Sequence, residues 1–78
     1  MIEIDRLRDL LGEQGIRFIG SRDGGVTFWL GVTECFASPT DDGKLYGGVG
    51  FLPWDCGHME DAEHLLSWCR WRLGLEDA

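Results

Sequence analysis

Apolar positions along this chain follow two rhythms, one helical at each end and one alternating in the middle. Between about Glu3 and Gln14, Ile4, Leu7, Leu10 and Leu11 recur at helical spacing, with Asp5, Arg6, Arg8, Asp9 and Glu13 on the other side. The spacing predicts an amphipathic helix closed by Gly15. Ile16 to Arg22, Val26 to Ser38 and Lys44 to Leu52 are rich in β-branched and aromatic residues and read as three strands. Asp23-Gly24-Gly25 and the run from Pro39 to Gly43 separate them as turns. In the middle strand, alternation predicts Val26, Phe28, Leu30, Val32 and Phe36 on one face, with a bulge near Glu34 able to shift the phase. Gly47, Gly48 and Gly50 interrupt the third strand and point to packing against a large ring such as Trp29 or Tyr46. Pro53 to His58 breaks the pattern before a last helix, roughly Met59 to Leu73, which Gly74 closes.

The expected fold is therefore α+β, with the order α-β-β-β-α: a three-stranded antiparallel meander with two helices on one face, forming a single domain over residues 1–78. That element order resembles the double-stranded-RNA-binding domain. Such domains carry basic residues at the start of the last helix, where this chain has Glu60, Asp61 and Glu63. The substitution of acids for bases removes the RNA-binding inference.

The last helix poses a problem of its own. At 100° per residue, Ala62, Leu65, Leu66, Cys69 and Leu73 form a core stripe, while His64, Trp68, Trp71 and Leu75 lie on nearly the opposite side. Two readings stay open. Either the two rings stretch across the edges of a small core, or they stay outside beside Arg70 and Arg72 as a protein-binding patch, since Trp and Arg are enriched where interfaces are tightest.

Charge sharpens the second reading. Fourteen acids against seven bases give a formal net charge of −7, which repels nucleic acid and excludes direct binding to it. Six acids, Asp41, Asp42, Asp55, Glu60, Asp61 and Glu63, fall between positions 41 and 63 with Lys44 as the single base. Solubility and a match to the helix dipole each explain such a cluster, and so does steering towards a basic partner.

Candidate chemistry changes the picture little. Cys35, Cys56, His58, His64 and Cys69 are zinc-type ligands, but Cys56-x-His58 is a tight spacing, and His64 and Cys69 lie about 140° apart on a helix. No metal or other cofactor is expected. A Cys56 pair with His58 or His64 lacks the third group that orients a catalytic base, and no carboxylate has an apolar setting that would tune it. The expectation is a protein that is not an enzyme. An odd count of three cysteines reads as reduced thiols; no apolar run is long enough for a membrane span, and Met1 to Asp5 lacks a signal-peptide pattern. These features predict a cytoplasmic location and no membrane partner. A chain of 78 residues buries only about 60 to 65% of its unfolded surface, which argues against a deep substrate cavity.

In size, acidity, cytosolic character and absence of catalytic motifs the chain resembles the small phage-encoded anti-CRISPR inhibitors. The resemblance is one of class and covers the whole chain. It implies a stoichiometric inhibitor that covers a basic surface of a CRISPR surveillance complex where guide or target DNA engages. The residues expected to meet that partner are Asp41, Asp42, Asp55, Glu60, Asp61, Glu63, His64, Trp68, Trp71 and Leu75. The alternatives are an immunity or antitoxin-type protein that masks a nuclease, and an accessory protein that forms a homodimer through Trp68 and Trp71.

Overall fold

A computed structural model describes residues 2–21, 23–50 and 55–75. Arg22, the predicted strand end at Phe51-Leu52 and the predicted break at Pro53-Trp54 lie outside the described residues. Helix α1 spans Ile2–Glu13, followed by strands β1 (Phe18–Gly20), β2 (Val26–Leu30), β3 (Thr33–Pro39), β4 (Leu45–Val49) and β5 (Cys56–Met59), and then helix α2 (Ala62–Arg72). The strands form one antiparallel sheet in the order β1-β2-β3-β4-β5. The class is α+β as expected, but the meander has five strands, not three.

Two local causes account for the extra strands. The run from Val26 to Ser38 is not one strand, because Gly31 takes φ +64° and opens a two-residue hairpin loop with Leu30 opposite Thr33. That loop changes which residues point inward. Val26, Phe28 and Leu30 are buried before it and Cys35 and Ala37 after it, so the inward positions pass from even to odd numbers. Val32, predicted inside, is fully exposed at the loop, and Phe36 turns to the opposite face. The fifth strand arises where Cys56 to Met59, which lacks β-branched residues, pairs with β4. Helix α2 accordingly starts at Ala62 rather than Met59.

Gly47 and Gly48 are explained by close approach of backbone, not of a ring. A Cβ on Gly47 would sit 2.3 Å from the Phe36 carbonyl oxygen, and one on Gly48 would sit 2.2 Å from the Asp55 carbonyl oxygen. Two adjacent positions without side chains let β3 and β5 close on β4 from either side.

Both helices cover one face of this sheet. The core joins Ile4, Leu7 and Leu11 of α1 and Ala62, Leu65, Leu66 and Cys69 of α2 to the inward residues of β2 to β5. Both predicted helical stripes face the core, with Leu10 and Leu73 only partly buried at its edge. Polar bonds then clasp the two helices together. Arg6 makes a two-pronged contact with Glu63, its Nε donating to Oε1 at 3.0 Å, and Arg70 donates to Gln14 Oε1. The first amides of α2 are capped from two directions: Ala62 N donates to Glu3 Oε1 at 3.0 Å and His64 N to Asp61 Oδ1 at 2.8 Å.

Candidate functional site

The acids predicted to steer a partner divide by position and by task. Leu45 pairs with Met59, so the β3–β4 turn and the start of α2 lie at the same end of the sheet. This brings Asp41 and Asp42 together with Glu60, Asp61 and Glu63 at one end. Asp55 precedes Cys56, which pairs with Gly48, and therefore stands at the other end.

Several of these acids already act within the fold. Asp61 caps α2. Glu63 binds Arg6, whose hydrogen bond holds the carboxyl below its ordinary pKa. Asp42 accepts from the Thr40 hydroxyl and from Lys44 N, and the same hydroxyl is the main cause of its lowered pKa. Asp55 Oδ1 is buried 2.5 Å from Arg72 Nη2, a charge contact rather than an aligned hydrogen bond. Asp41 and Glu60 are exposed.

The predicted apolar stripe of α2 is likewise divided. Trp68 is partly buried against the core, whereas Trp71 is 48% and Leu75 60% exposed, and His64 is exposed near the opposite end of the helix. At 1.5 Å per residue, Trp71 lies about 12 Å along the helix from Glu63. Trp71 and Leu75 therefore stand at the opposite end of α2 from the acid cluster, while His64 adjoins it.

A second surface, missed in the sequence, is continuous. The register places Ile19, Thr27, Phe36, Gly48 and Cys56 in one row across the face of the sheet opposite the helices. Ser38, Tyr46 and His58 form a row on one side of it, and Trp29 and Glu34 on the other. Arg17 extends the Trp29 row, since Trp29 N donates to Arg17 O at 3.1 Å.

The rings on this face touch one another rather than the core. Tyr46 and His58 meet edge to face at 5.0 Å between centroids, and Phe36 and Tyr46 lie 6.1 Å apart. The Tyr46 hydroxyl and the Cys56 thiol share a 3.0 Å hydrogen bond, which raises the Tyr46 pKa above its ordinary value. The Arg17 guanidinium lies over Trp29 at 4.6 Å from the ring centroid. Among the described residues, neither helix packs here, and Trp29, Phe36 and Tyr46 stay half-buried outside the core. The signal in the sequence is the set Trp29, Phe36, Tyr46 and His58; it becomes legible only once the parity change at Gly31 is known.

The metal-type side chains are separated by the same sheet. Cys35 and Cys69 are fully buried on the helix side, with the Cys69 thiol pushed up by its hydrogen bond to Cys35 and by burial, while Cys56 and His58 stand on the open side. Among the described residues, no three His, Cys, Asp or Glu side chains come together as a metal would require, and no helix is long and apolar enough to cross a membrane. Compared with protein-family models, with curated proteins and with solved structures, the chain matches none.

Proposed function

We propose that this chain is a non-enzymatic binding module that docks on a basic, nucleic-acid-handling protein through the open face of its sheet and the acidic end beside it. The observation that carries this reading is the face of the sheet that neither described helix covers, on which Trp29, Phe36, Tyr46 and His58 lie outside the core. A small protein draws much of its stability from the few large rings it has, so leaving several outside is accounted for when a partner covers them. Aromatic surface rimmed by charge is typical of interface centres. The net charge of −7 sets the sign of the partner, and the acids near the β3–β4 turn border the Tyr46 and His58 row.

A nucleic-acid-handling protein presents a basic surface where its substrate lies, and covering that surface inhibits it. In keeping with the class resemblance, the partner proposed is a CRISPR surveillance complex. The test is capture from host lysate on the immobilised chain, with variants run alongside. A basic nucleic-acid-binding protein is expected, lost with Phe36→Ser plus Tyr46→Ser and weakened with Asp41, Asp42 and Glu60 changed to Lys. Retention of the same partner at equal strength by both variants would sink the reading.

The exposure of Trp71 and Leu75 favours a second reading, self-association through the end of α2. Sedimentation decides it: a dimer that dissociates on Trp71→Ala supports it, and a monomer at high concentration removes it.

A further inference from the structure

We propose that the open face recognises an arginine side chain, presented by a segment of the basic partner, at the site formed by Trp29 and Glu34. This rests on the reading of that face as the docking surface and names the chemistry it selects. The protein already performs the contact on itself, because Arg17 stacks on Trp29 at 4.6 Å. Glu34 stands directly opposite Trp29 on the neighbouring strand, and Phe36 follows on the same face of that strand. A ring face with a carboxylate at its side suits a planar guanidinium, which stacks through its flat surface and donates through its edge. An ammonium group matches this less well, being compact, strongly hydrated and unable to stack.

Charge points the same way. Glu34 lies on this face by its register with Trp29, Arg17 joins it through the backbone bond from Trp29, Lys44 flanks the Tyr46 end, and Arg17 is exposed with its guanidinium on the Trp29 ring. An incoming guanidinium therefore takes the Trp29 face by displacing Arg17, and gains Glu34 as an acceptor. The surrounding charge of −7 favours the exchange of one internal cation for one on a cationic partner. Arg17 acts as a built-in competitor that occupies the site until a partner arrives.

The test uses octa-arginine and octa-lysine peptides, titrated into the full chain and followed by NMR, with the Trp29 indole resonance assigned from Trp29→Phe. Octa-arginine is expected to shift the Trp29 indole and the Glu34 amide and to bind more tightly than octa-lysine. Glu34→Gln should weaken octa-arginine binding and Arg17→Ala should tighten it, each by roughly two- to fivefold, as expected for an exposed ion pair in the first case and an exposed cation–π contact in the second. The gain with Arg17→Ala is informative because misfolding does not produce it. Equal affinity for the two peptides, or shifts confined to Asp41, Asp42 and Glu60, overturns the guanidinium site while leaving docking on a basic partner intact. Failure of both peptides to bind overturns this proposal and the charge complementarity beneath it.

Discussion

The two faces of one sheet are built from the same strands and differ in what they can do alone. On the helix side, Phe28, Cys35, Leu45 and their neighbours are sealed under α1 and α2. On the other, Trp29, Phe36 and Tyr46 stay only partly buried although each adjoins a buried residue in sequence. Alternation alone decides the side, and the side decides whether a ring joins the core under the helices or stays on the opposite face. Large apolar side chains are thus not equivalent evidence of a core. Their partners within the chain determine their role.

The sharpest way to break this comparison is by thiol reactivity. Cys35 and Cys69 are fully buried and react only when the chain opens, while Cys56 is half-buried on the open face beside Tyr46. Labelling of the native protein should modify Cys56 first, with the other two slower by on the order of a thousandfold or more, as marginal global stability dictates. Equal rates for all three, measured by mass spectrometry, would mean that the sheet does not divide the cysteines as described.

Next in size are the phenylalanines. Phe28→Ala should cost about 3–5 kcal/mol and leave little of the folded state, whereas Phe36→Ala should cost less, about 1–2 kcal/mol, because its ring is only partly buried and lies outside the core. Denaturant midpoints compare them directly. Gly48→Ala falls between, at about 1–3 kcal/mol, since the new methyl meets the Asp55 carbonyl and must push β5 from β4. Hydrogen exchange should show the loss concentrated in β5.

The smallest effect is a pH dependence at the helix clasp. Arg6 lowers the Glu63 pKa in the folded state, so its contribution is fully present above the ordinary carboxylate range and is lost as pH falls through the depressed folded value. Glu63→Gln should therefore flatten the acid side of the thermal stability profile slightly and leave neutral-pH shape unchanged. Both groups are exposed, and solvent screening keeps the shift small.

Much of this was legible in the sequence where a pattern had one period. The stripes Ile4, Leu7, Leu11 and Leu65, Leu66, Cys69 are helical in spacing and are buried as that spacing requires. The loop at Gly31-Val32 was hidden because the apolar alternation runs through it without a polar turn signal. Missing it assigned Phe36 to the wrong face, and with that the open aromatic surface vanished from view. The strand Cys56–Met59 was hidden for a different reason: its residues have weak strand preference, and pairing with a glycine-bearing neighbour supplies what propensity does not. Of the expected site, the acids near the β3–β4 turn and the start of α2 are neighbours in space, but Asp55 and the exposed Trp71 lie elsewhere.

The clasp between the helices also has a kinetic consequence. Its bonds join residues 56 to 59 positions apart, whereas every strand pairs with the next along the chain. Short hairpins close at low entropic cost and form early, while contacts that span most of the chain are gained late, near the end of the folding reaction. Loosening the clasp should then hasten unfolding and barely slow refolding, so that α1 and α2 act as the latch on a sheet that assembles by itself first.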